Sequence, residues 1–270
     1  MASKTPIKIL FFGDIVGKIG RKALAQILPR LKKEFKPDLI LANGENLAHG
    51  SGFTKKTVEE VLALGVDLLT SGNHFSKKEF KELVTDNDYK ILRPANYPPS
   101  VPGVGYKILK VKGKKVIIIN LIGRVFFREN FDCPFRKFDE LKNSLKLNKN
   151  DIIIVDFHSE ATSEKVSLGW YLDGQVSAVL GTHTHVPTCD LRILTEKTAY
   201  VSDLGMVGAR DGVIGVAKEG PLQGFLQQLP GQFTIPEKGW AVINAVFLAI
   251  NPKNGKAEKI SRVDRMLEIK

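Results

Sequence analysis

The run Val176–Leu180, followed by Gly181-Thr182-His183-Thr184-His185, is an apolar stretch that ends in two histidines one residue apart. The apolar run predicts a buried strand, and side chains on an extended backbone alternate between two faces. If the backbone stays extended, both imidazoles point to the same side and can bind metal there. Such a pair is common without a metal, so the prediction depends on the rest of the chain.

Four other apolar runs, each predicted to be a strand, also end in polar side chains that can bind metal ions. Ligands of open α/β sheets bind outside the carboxyl ends of the strands, so we expect these side chains to share one site. Four of the five histidines of the chain are among them, which unrelated structural roles do not explain. The candidates are Asp14, Glu45, Asn46, Asn73, His74, His158, His183 and His185.

Predicted helices alternate with these strands. Apolar residues recur at helical spacing over Arg21–Phe35, and further helices are predicted at Lys55–Leu64 and Ala161–Leu168. The capping-box pattern Ser76-Lys77-Lys78-Glu79 predicts the start of another helix. The first part of the chain therefore has the βα alternation of an α/β protein.

The last third of the chain has a different pattern. Leu191–Leu194 and Thr198–Ser202 predict a hairpin, and Trp240–Ile250 and Lys259–Met266 predict two closing strands. Together with the earlier βα units, this predicts one domain over residues 1–270. Its expected architecture is a layered α/β fold with either a mixed sheet or two stacked sheets.

Composition limits the class of protein. The hydrophobic content of 43% and charged content of 26% are ordinary for a soluble globular protein. The apolar run Ile7–Phe12 ends at Gly13-Asp14, which is not a secretory signal pattern. With only Cys133 and Cys189 there is no disulfide framework, and we expect a cytoplasmic protein with no membrane association. The formal net charge of +11 favours small anionic partners such as nucleotides.

The candidate ligands offer nitrogen and oxygen donors without thiolate, which suits iron, manganese or zinc. Even seven of these eight candidates are too many for one ion that must leave room for a substrate. Two ions that share a bridging carboxylate can together bind all seven ligands. A pair about 3.5–4 Å apart activates a bridging water and holds both oxygens of an in-line displacement at phosphorus.

The segment Arg124–Arg136 interleaves basic and aromatic residues. Such a segment can stack a nucleobase and hold a phosphate, but loop aromatics more often pack onto the core or a partner subunit. Lys165 and Arg124 can each bind phosphate, and solvation at the surface is the default interpretation of both.

Ordered motifs along the chain resemble those of the calcineurin-like metallophosphoesterases. The chain is more narrowly similar to the bacterial YmdB-like phosphodiesterases, because Val16 replaces the histidine of the usual Asp-x-His motif and Glu45-Asn46 occupies the second motif. The similarity extends over almost the whole chain. Its motifs are Gly13-Asp14-Ile15-Val16-Gly17, Asn43-Gly44-Glu45-Asn46, Gly72-Asn73-His74, Asp156–Lys165 and Gly181–His185.

The resemblance implies a sandwich of two β-sheets flanked by helices, with two metal ions, iron (Fe²⁺/Fe³⁺) or Mn²⁺. It implies His74 as the general acid that protonates the leaving oxygen. In this family Glu45 would bridge the ions. One ion would be held by Asp14, Glu45, Asn46 and His185, and the other by Glu45, Asn73, His158 and His183.

The implied activity is hydrolysis of 2′,3′-cyclic or 3′,5′-cyclic nucleotides by a hydroxide that bridges the two metals. RNA ends are a further expected partner, and a homo-oligomer is an expected assembly. The family commonly has an aromatic-Asp pair where this chain has Phe75-Ser76, so substrate preference stays open. The alternatives are a phosphomonoesterase acting on nucleotides or proteins, and a non-catalytic regulatory protein that contains metal.

Overall fold

The computed structural model of the chain describes residues 5–75 and 90–270. The predicted helix start at Ser76-Lys77-Lys78-Glu79 lies outside the described residues. The described helices are α1 (Gly17–Phe35), α2 (Lys55–Ala63), α3 (Pro134–Ser144), α4 (Thr162–Tyr171) and α5 (Glu219–Gln227). The described strands are β1 (Ile7–Ile15), β2 (Leu39–Asn43), β3 (Leu68–Thr70), β4 (Tyr106–Val111), β5 (Lys114–Ile122), β6 (Ile152–His158), β7 (Ala178–Thr182), β8 (Arg192–Ile193), β9 (Ala199–Val201), β10 (Met206–Ala209), β11 (Gly239–Ile243), β12 (Ala245–Ile250), β13 (Ala257–Arg262) and β14 (Arg265–Ile269).

The first sheet is built around β1. Both faces of this strand are covered, and its sequence is accordingly apolar on both faces. One edge of β1 pairs with β12 in antiparallel fashion and then, from Asp14 onward, with β10 in parallel. The other edge pairs in parallel with β2, which in turn pairs with β3. β11, β13 and β14 complete this mixed sheet through antiparallel pairs.

The second sheet has the strand order β4-β5-β6-β7-β9-β8 among the described residues. Its central strands β5, β6, β7 and β9 are parallel, and β4 and β8 add antiparallel edges. The predicted hairpin after the histidine pair corresponds to β8 and β9.

The two sheets stack face to face and enclose one apolar layer. Side chains such as Phe11 and Leu41 of the first sheet share this layer with Ile154 and Leu180 of the second. A second apolar cluster lies beneath α1 and α2, and a third beneath α3 and α4. The predicted sandwich of two sheets flanked by helices is confirmed, with helices on both outer faces.

Residues next to β10 and β12 fix the path of the backbone where β1 changes partners. The amide of Gly13 donates to the carbonyl of Asn244 at 3.0 Å, and the amide of Asp14 donates to the carbonyl of Gly205 at 3.1 Å. A Cβ atom at Gly13 would lie 1.9 Å from that Gly205 oxygen, so a side chain is excluded there. The register with β2 also shifts between Phe12 and Asp14. Irregularities of this kind redirect a side chain at the end of a strand, here Asp14.

The late strands differ from the sequence prediction, which had two continuous strands in this region. Trp240–Ile250 forms β11 and β12, which are separated at Asn244. The Asn244 side chain accepts a hydrogen bond from the Met206 amide and donates one to the Asp264 carboxylate. Lys259–Met266 is likewise divided between β13 and β14. These partners are far apart in sequence, so local patterning does not reveal the break.

Among the described residues, no helix combines the length and the apolar composition that crossing a bilayer requires.

Candidate metal centre

The structure brings all eight predicted site residues together at one edge of the sandwich. Asp14 lies near the end of β1, and Glu45 and Asn46 lie in the turn after β2. The segment after β3 supplies Asn73 and His74, the last residue of β6 is His158, and the segment after β7 supplies His183 and His185. Five strand ends from two sheets therefore converge, as the sequence predicted.

Two carboxylates lie at the bottom of this cluster. Asp14 and Glu45 are both buried. Glu45 Oε2 lies 3.2 Å from His158 Nε2 and accepts a hydrogen bond from the His74 amide at 3.2 Å. Asp14 Oδ2 accepts from the His183 amide at 3.2 Å. The carboxylates are thus held by groups from β6 and from the segments that follow β3 and β7.

The orientation of His158 is set by a buried chain of hydrogen bonds. The Thr182 hydroxyl donates to Asp156 Oδ1 at 2.7 Å, so its oxygen accepts from His158 Nδ1 at 2.9 Å. The unprotonated position of a neutral His158 is then Nε2, which faces Glu45 and Asn73 Oδ1. Outer groups that fix the tautomer of a ligating imidazole in this way are typical of metal sites.

The histidine pair lies on an irregular loop, because β7 ends at Thr182. His183 and His185 have positive φ values of 108° and 65°, so the condition of an extended backbone is not met. Both imidazoles nevertheless reach the cluster. His183 Nδ1 lies 3.0 Å from His158 Nε2, and His185 Nε2 lies 3.0 Å from Asn46 Nδ2. His185 Nδ1 donates to the Ile214 carbonyl, which leaves Nε2 unprotonated toward the site.

A buried ion pair supports this strained loop. Asp203 Oδ2 accepts a hydrogen bond from the amide of Thr184, the residue between the two histidines, at 3.0 Å. Asp203 Oδ1 accepts from the Gly205 amide at 2.8 Å. Lys165 Nζ, from α4, lies 2.6 Å from Asp203 Oδ2, and both side chains are buried. The default interpretation of Lys165 as a solvated surface residue is therefore wrong, because its charge is needed to compensate Asp203.

Burial and the neighbouring charges shift the pKa values of the side chains in this cluster. Burial raises the pKa of Asp14 to about 7. Burial also opposes ionisation of Glu45, but the charge of His158 and its hydrogen bond outweigh it and hold the pKa of Glu45 below its ordinary value. Burial alone would lower the pKa of His158, yet Glu45 and Asp14 raise it to about 9. Burial and the charge of His158 lower the pKa of His183 to about 3. A proton on His158 thus supplies positive charge that favours the ionised form of Glu45.

The same residues fit a bound cation. Asp14 Oδ1 is buried and has no hydrogen-bond partner among the described residues. Ligand atoms of Glu45, His158 and His183 all lie within 4.8 Å of one another. A buried carboxylate oxygen without a donor is costly unless a positive charge compensates it. The donor set of carboxylate, carboxamide and imidazole groups is suited to a metal ion.

His74 lies at the rim of the cluster. Its Nδ1 lies 2.8 Å from Asn46 Oδ1, to which it donates, and its side chain is partly exposed. The remaining ring nitrogen of His74 is Nε2. This position is compatible with acid catalysis at the mouth of the site.

The family model described as YmdB-like protein matches residues 10–263, which is nearly the whole chain. The chain belongs to the YmdB-like family. This confirms the resemblance on which the sequence interpretation depended.

Two relatives of this YmdB-like chain carry descriptions of activity. The chain is 44% identical over 258 residues to a protein of Bacillus subtilis (strain 168) named 2′,3′-cyclic-nucleotide 2′-phosphodiesterase, with 95% of this chain and 96% of that protein covered. It is 36% identical over 271 residues to a putative phosphatase/phosphodiesterase of Mycoplasma genitalium, with 97% and 94% covered.

Two crystal structures are similar over nearly the full length. A protein described as a novel phosphatase from Mycoplasma pneumoniae superposes with a TM-score of 0.90 at 33% identity, covering 99% of this chain and 95% of that chain. A hypothetical protein from Thermus thermophilus superposes with a TM-score of 0.87 at 38% identity, covering 97% and 100%. The two-sheet architecture is thus shared with both.

Sequence reasoning missed two groups in this YmdB-like site. Glu160 Oε2 lies 2.9 Å from His183 Nε2, although Glu160 was not a candidate. Its position two residues after His158 at the same strand end was the available signal. The Lys165–Asp203 pair had no comparable signal, because the partners lie 38 residues apart and only the fold brings them together.

We expect Lys165→Met to destabilise the protein by about 3–5 kcal/mol, because it leaves the Asp203 charge buried and unpaired. The double variant Lys165→Met/Asp203→Asn should recover part of this loss, since it removes the uncompensated charge. Chemical denaturation measures the free energy of unfolding. The matched control is Lys137→Met, which breaks a surface pair with Glu140 and should cost no more than about 1 kcal/mol. Equal losses for both single variants would contradict the role given to Lys165.

Proposed function

We propose that this chain is a metal-dependent phosphodiesterase that hydrolyses cyclic nucleotides, either 2′,3′-cyclic, 3′,5′-cyclic or both. The observation that carries the proposal is the convergence of five strand ends on two buried carboxylates, with His74 at the rim. One of the carboxylate oxygens, Asp14 Oδ1, has no hydrogen-bond partner among the described residues. The name of the Bacillus subtilis relative supports the substrate class. The phosphodiesterase part of the Mycoplasma genitalium name supports the reaction.

We assign the metal ligands in two sets that follow the contacts of the cluster. Asp14, Asn46 and His185 are close to one another, since His185 Nε2 lies 4.0 Å from Asp14 Oδ1 and 3.0 Å from Asn46 Nδ2. Asn73, His158 and His183 form the second set around His158 Nε2. Glu45 contacts both sets through Asn46 and His158, which supports its assignment as the bridge.

When bound, the ions supply Lewis acidity toward the phosphoryl group and activate a water molecule. We propose iron or manganese, because the donors are nitrogen and oxygen and because Cys133 and Cys189 line neither of the clefts that meet at the cluster. Both thiols are free, which supports the expectation of a reducing, cytoplasmic location.

The chain's own residues supply the remaining chemistry. Asn46 accepts a hydrogen bond from His74 Nδ1, so the imidazolium form of His74 carries its second proton on Nε2 and can deliver it to the leaving oxygen as the bond from that oxygen to phosphorus breaks. Glu160 lies beside His183 and orients its ring. RNA ends that carry a 2′,3′-cyclic phosphate present the same reacting group and remain proposed substrates. Exposed Leu222 and Leu226 on α5 support the expected homo-oligomer.

The second candidate is a phosphomonoesterase, which the combined name phosphatase/phosphodiesterase of the Mycoplasma genitalium relative favours. The experiment that separates the two compares metal-loaded protein on 2′,3′-cyclic AMP, 3′,5′-cyclic AMP, bis-p-nitrophenyl phosphate and p-nitrophenyl phosphate. We expect turnover of at least one cyclic nucleotide and of the bis ester, with the monoester much slower. Preference for the monoester would favour the phosphatase, and no turnover of any ester would favour a regulatory protein.

Metal loading should stabilise the protein, because a cation satisfies the orphaned Asp14 oxygen. We expect added Mn²⁺ to raise the melting temperature of chelator-treated protein, with about 2.7 kcal/mol of stabilisation at 100 times the dissociation constant. Asp14→Asn should reduce this increase without lowering the stability of the metal-free protein, since it removes a buried charge. Differential scanning calorimetry measures both values. Glu140→Gln, at an exposed position on α3, is the control and should behave as wild type.

His74→Ala should lower kcat by about 10²–10⁴-fold on cyclic nucleotides, whose leaving alkoxide needs a proton. The loss should be smaller on bis-p-nitrophenyl phosphate, because p-nitrophenolate leaves without one. Elemental analysis should find unchanged metal content. His49→Ala is the matched control, since His49 is exposed and lines neither cleft. Equal losses on both substrates, or loss of metal, would exclude His74 as the acid.

A further inference from the structure

The candidate metal centre lies where two clefts meet. The apolar cleft has a volume of about 750 Å³, and Ile214, Phe225, Leu229 and Phe233 form much of its wall. The Phe126 cleft, lined by Phe126, Phe127, Arg128 and Glu129, has a volume of about 530 Å³. Both clefts also include His74, Glu160 and His183 in their linings. A phosphate bound at the centre therefore has room for a substituent in each cleft.

Phe126 is presented to solvent by a loop that is otherwise anchored. Glu164 is buried and accepts hydrogen bonds from the amides of Arg124 and Val125, which fixes the start of the loop. The ring of Phe127 lies 5.0 Å from that of His183, and Phe131 is buried against Tyr97. In contrast, Phe126 is 80% exposed and has a positive φ of 68°.

The backbone conformation of Phe126 is unfavourable, and its exposed side chain makes too little packing contact to offset this. A positive φ is unfavourable for a bulky residue, and an exposed phenyl ring gains nothing from burial. The sequence left open whether the aromatic residues of Arg124–Arg136 pack inward or stack on a base. The structure divides them, because Phe127 and Phe131 pack against other aromatic rings, whereas Phe126 is exposed and lines the cleft. An exposed aromatic ring beside a phosphate site is a stacking platform for a nucleobase.

A cyclic nucleotide has a single nucleoside and fills one side of the centre. Ligand clefts typically have volumes of about 300–1,000 Å³, and each of the two clefts is within this range by itself. One of them is therefore left without an occupant when a cyclic nucleotide is bound. Two clefts that share His74, Glu160 and His183 can hold the two substituents of a linear phosphodiester.

The charges of the Phe126 cleft indicate what its occupant carries. Among the described residues, its lining has one guanidinium, Arg128, and two carboxylates, Glu129 and Glu160. A second phosphate would be repelled by these carboxylates. A neutral nucleoside has hydroxyl and amino groups that can donate hydrogen bonds to them. The cleft thus suits a nucleoside that ends at this point, not the middle of a longer strand.

We propose that the Phe126 cleft binds a second nucleoside, so that the chain hydrolyses linear dinucleoside monophosphates with one nucleoside in each cleft. This inference rests on the proposed phosphodiesterase activity. Hydrolysis breaks the bond between phosphorus and one nucleoside oxygen, and a bond from phosphorus to the oxygen of water forms. The leaving oxygen takes a proton from His74, and a proton released by the attacking water returns to His74 through solvent. The products are one nucleoside and one nucleoside monophosphate.

The test compares kcat/KM for the dinucleotide ApA with kcat/KM for 2′,3′-cyclic AMP on metal-loaded protein. Wild type should hydrolyse both. Phe126→Ala should lower the ratio of ApA to cyclic AMP by about 5- to 150-fold, the range found when a base-stacking aromatic is removed. Phe126→Trp keeps an aromatic ring at this position and should give a ratio close to the wild-type value. Trp240→Ala, which removes an exposed aromatic that lines neither cleft, should leave the ratio at the wild-type value.

A second readout does not depend on turnover. Calorimetric titration of ApA into His74→Ala protein should give a dissociation constant that rises by a similar factor when Phe126→Ala is added. Hydrolysis of cyclic AMP without hydrolysis of ApA would overturn the second nucleoside site and leave the proposed function intact. The second nucleoside site would also be overturned if Phe126→Ala lowered kcat/KM equally for both substrates. A change in the oligomeric state of Phe126→Ala would overturn it as well. No turnover of either substrate would overturn the proposed function and the inference together.

Discussion

Asp14 and Glu45 place two carboxylates in the buried edge of a sandwich whose interior is otherwise apolar. Charges in such a position are stable only when positive groups or hydrogen-bond donors compensate them. The surrounding elements supply this compensation from His158, from the His74 and His183 amides, and from the neighbouring imidazoles. Asp14 Oδ1 has no hydrogen-bond partner among the described residues, and in the proposed ligand assignment a cation would compensate it.

The two sheets meet this requirement through the ends of their parallel strands. Parallel strands direct their carboxyl ends to one edge, so loops from both sheets can contribute side chains to the same cluster. Close contacts at two glycines fix the geometry there. A Cβ atom at Gly181 would lie 1.8 Å from the Ser202 carbonyl oxygen, and one at Gly72 would lie 2.2 Å from the His158 ring. The ends of β7 and β3 can approach their neighbours only because these positions are glycine.

Support for the histidine loop comes from a separate layer of buried polar groups. Asp203, compensated by Lys165, holds the Thr184 amide between two histidines that both have positive φ values. Asp156 and Thr182 hold His158 in the tautomer that directs Nε2 to the site. Preorganised side chains of this kind keep their geometry when a ligand binds, which is what a site for chemistry at phosphorus requires.

The sequence by itself determined the strand ends and the eight polar side chains that follow them, because apolar runs and their polar terminations are local features of the chain. The resemblance of these motifs also determined the family and the two-sheet sandwich. Tertiary structure alone decided the break between β11 and β12 at Asn244, the irregular path of His183–His185 and the burial of Lys165. Each of these depends on a partner distant in the chain, such as Asp264 or Asp203, and no local pattern encodes a contact that forms only when the sheets are stacked.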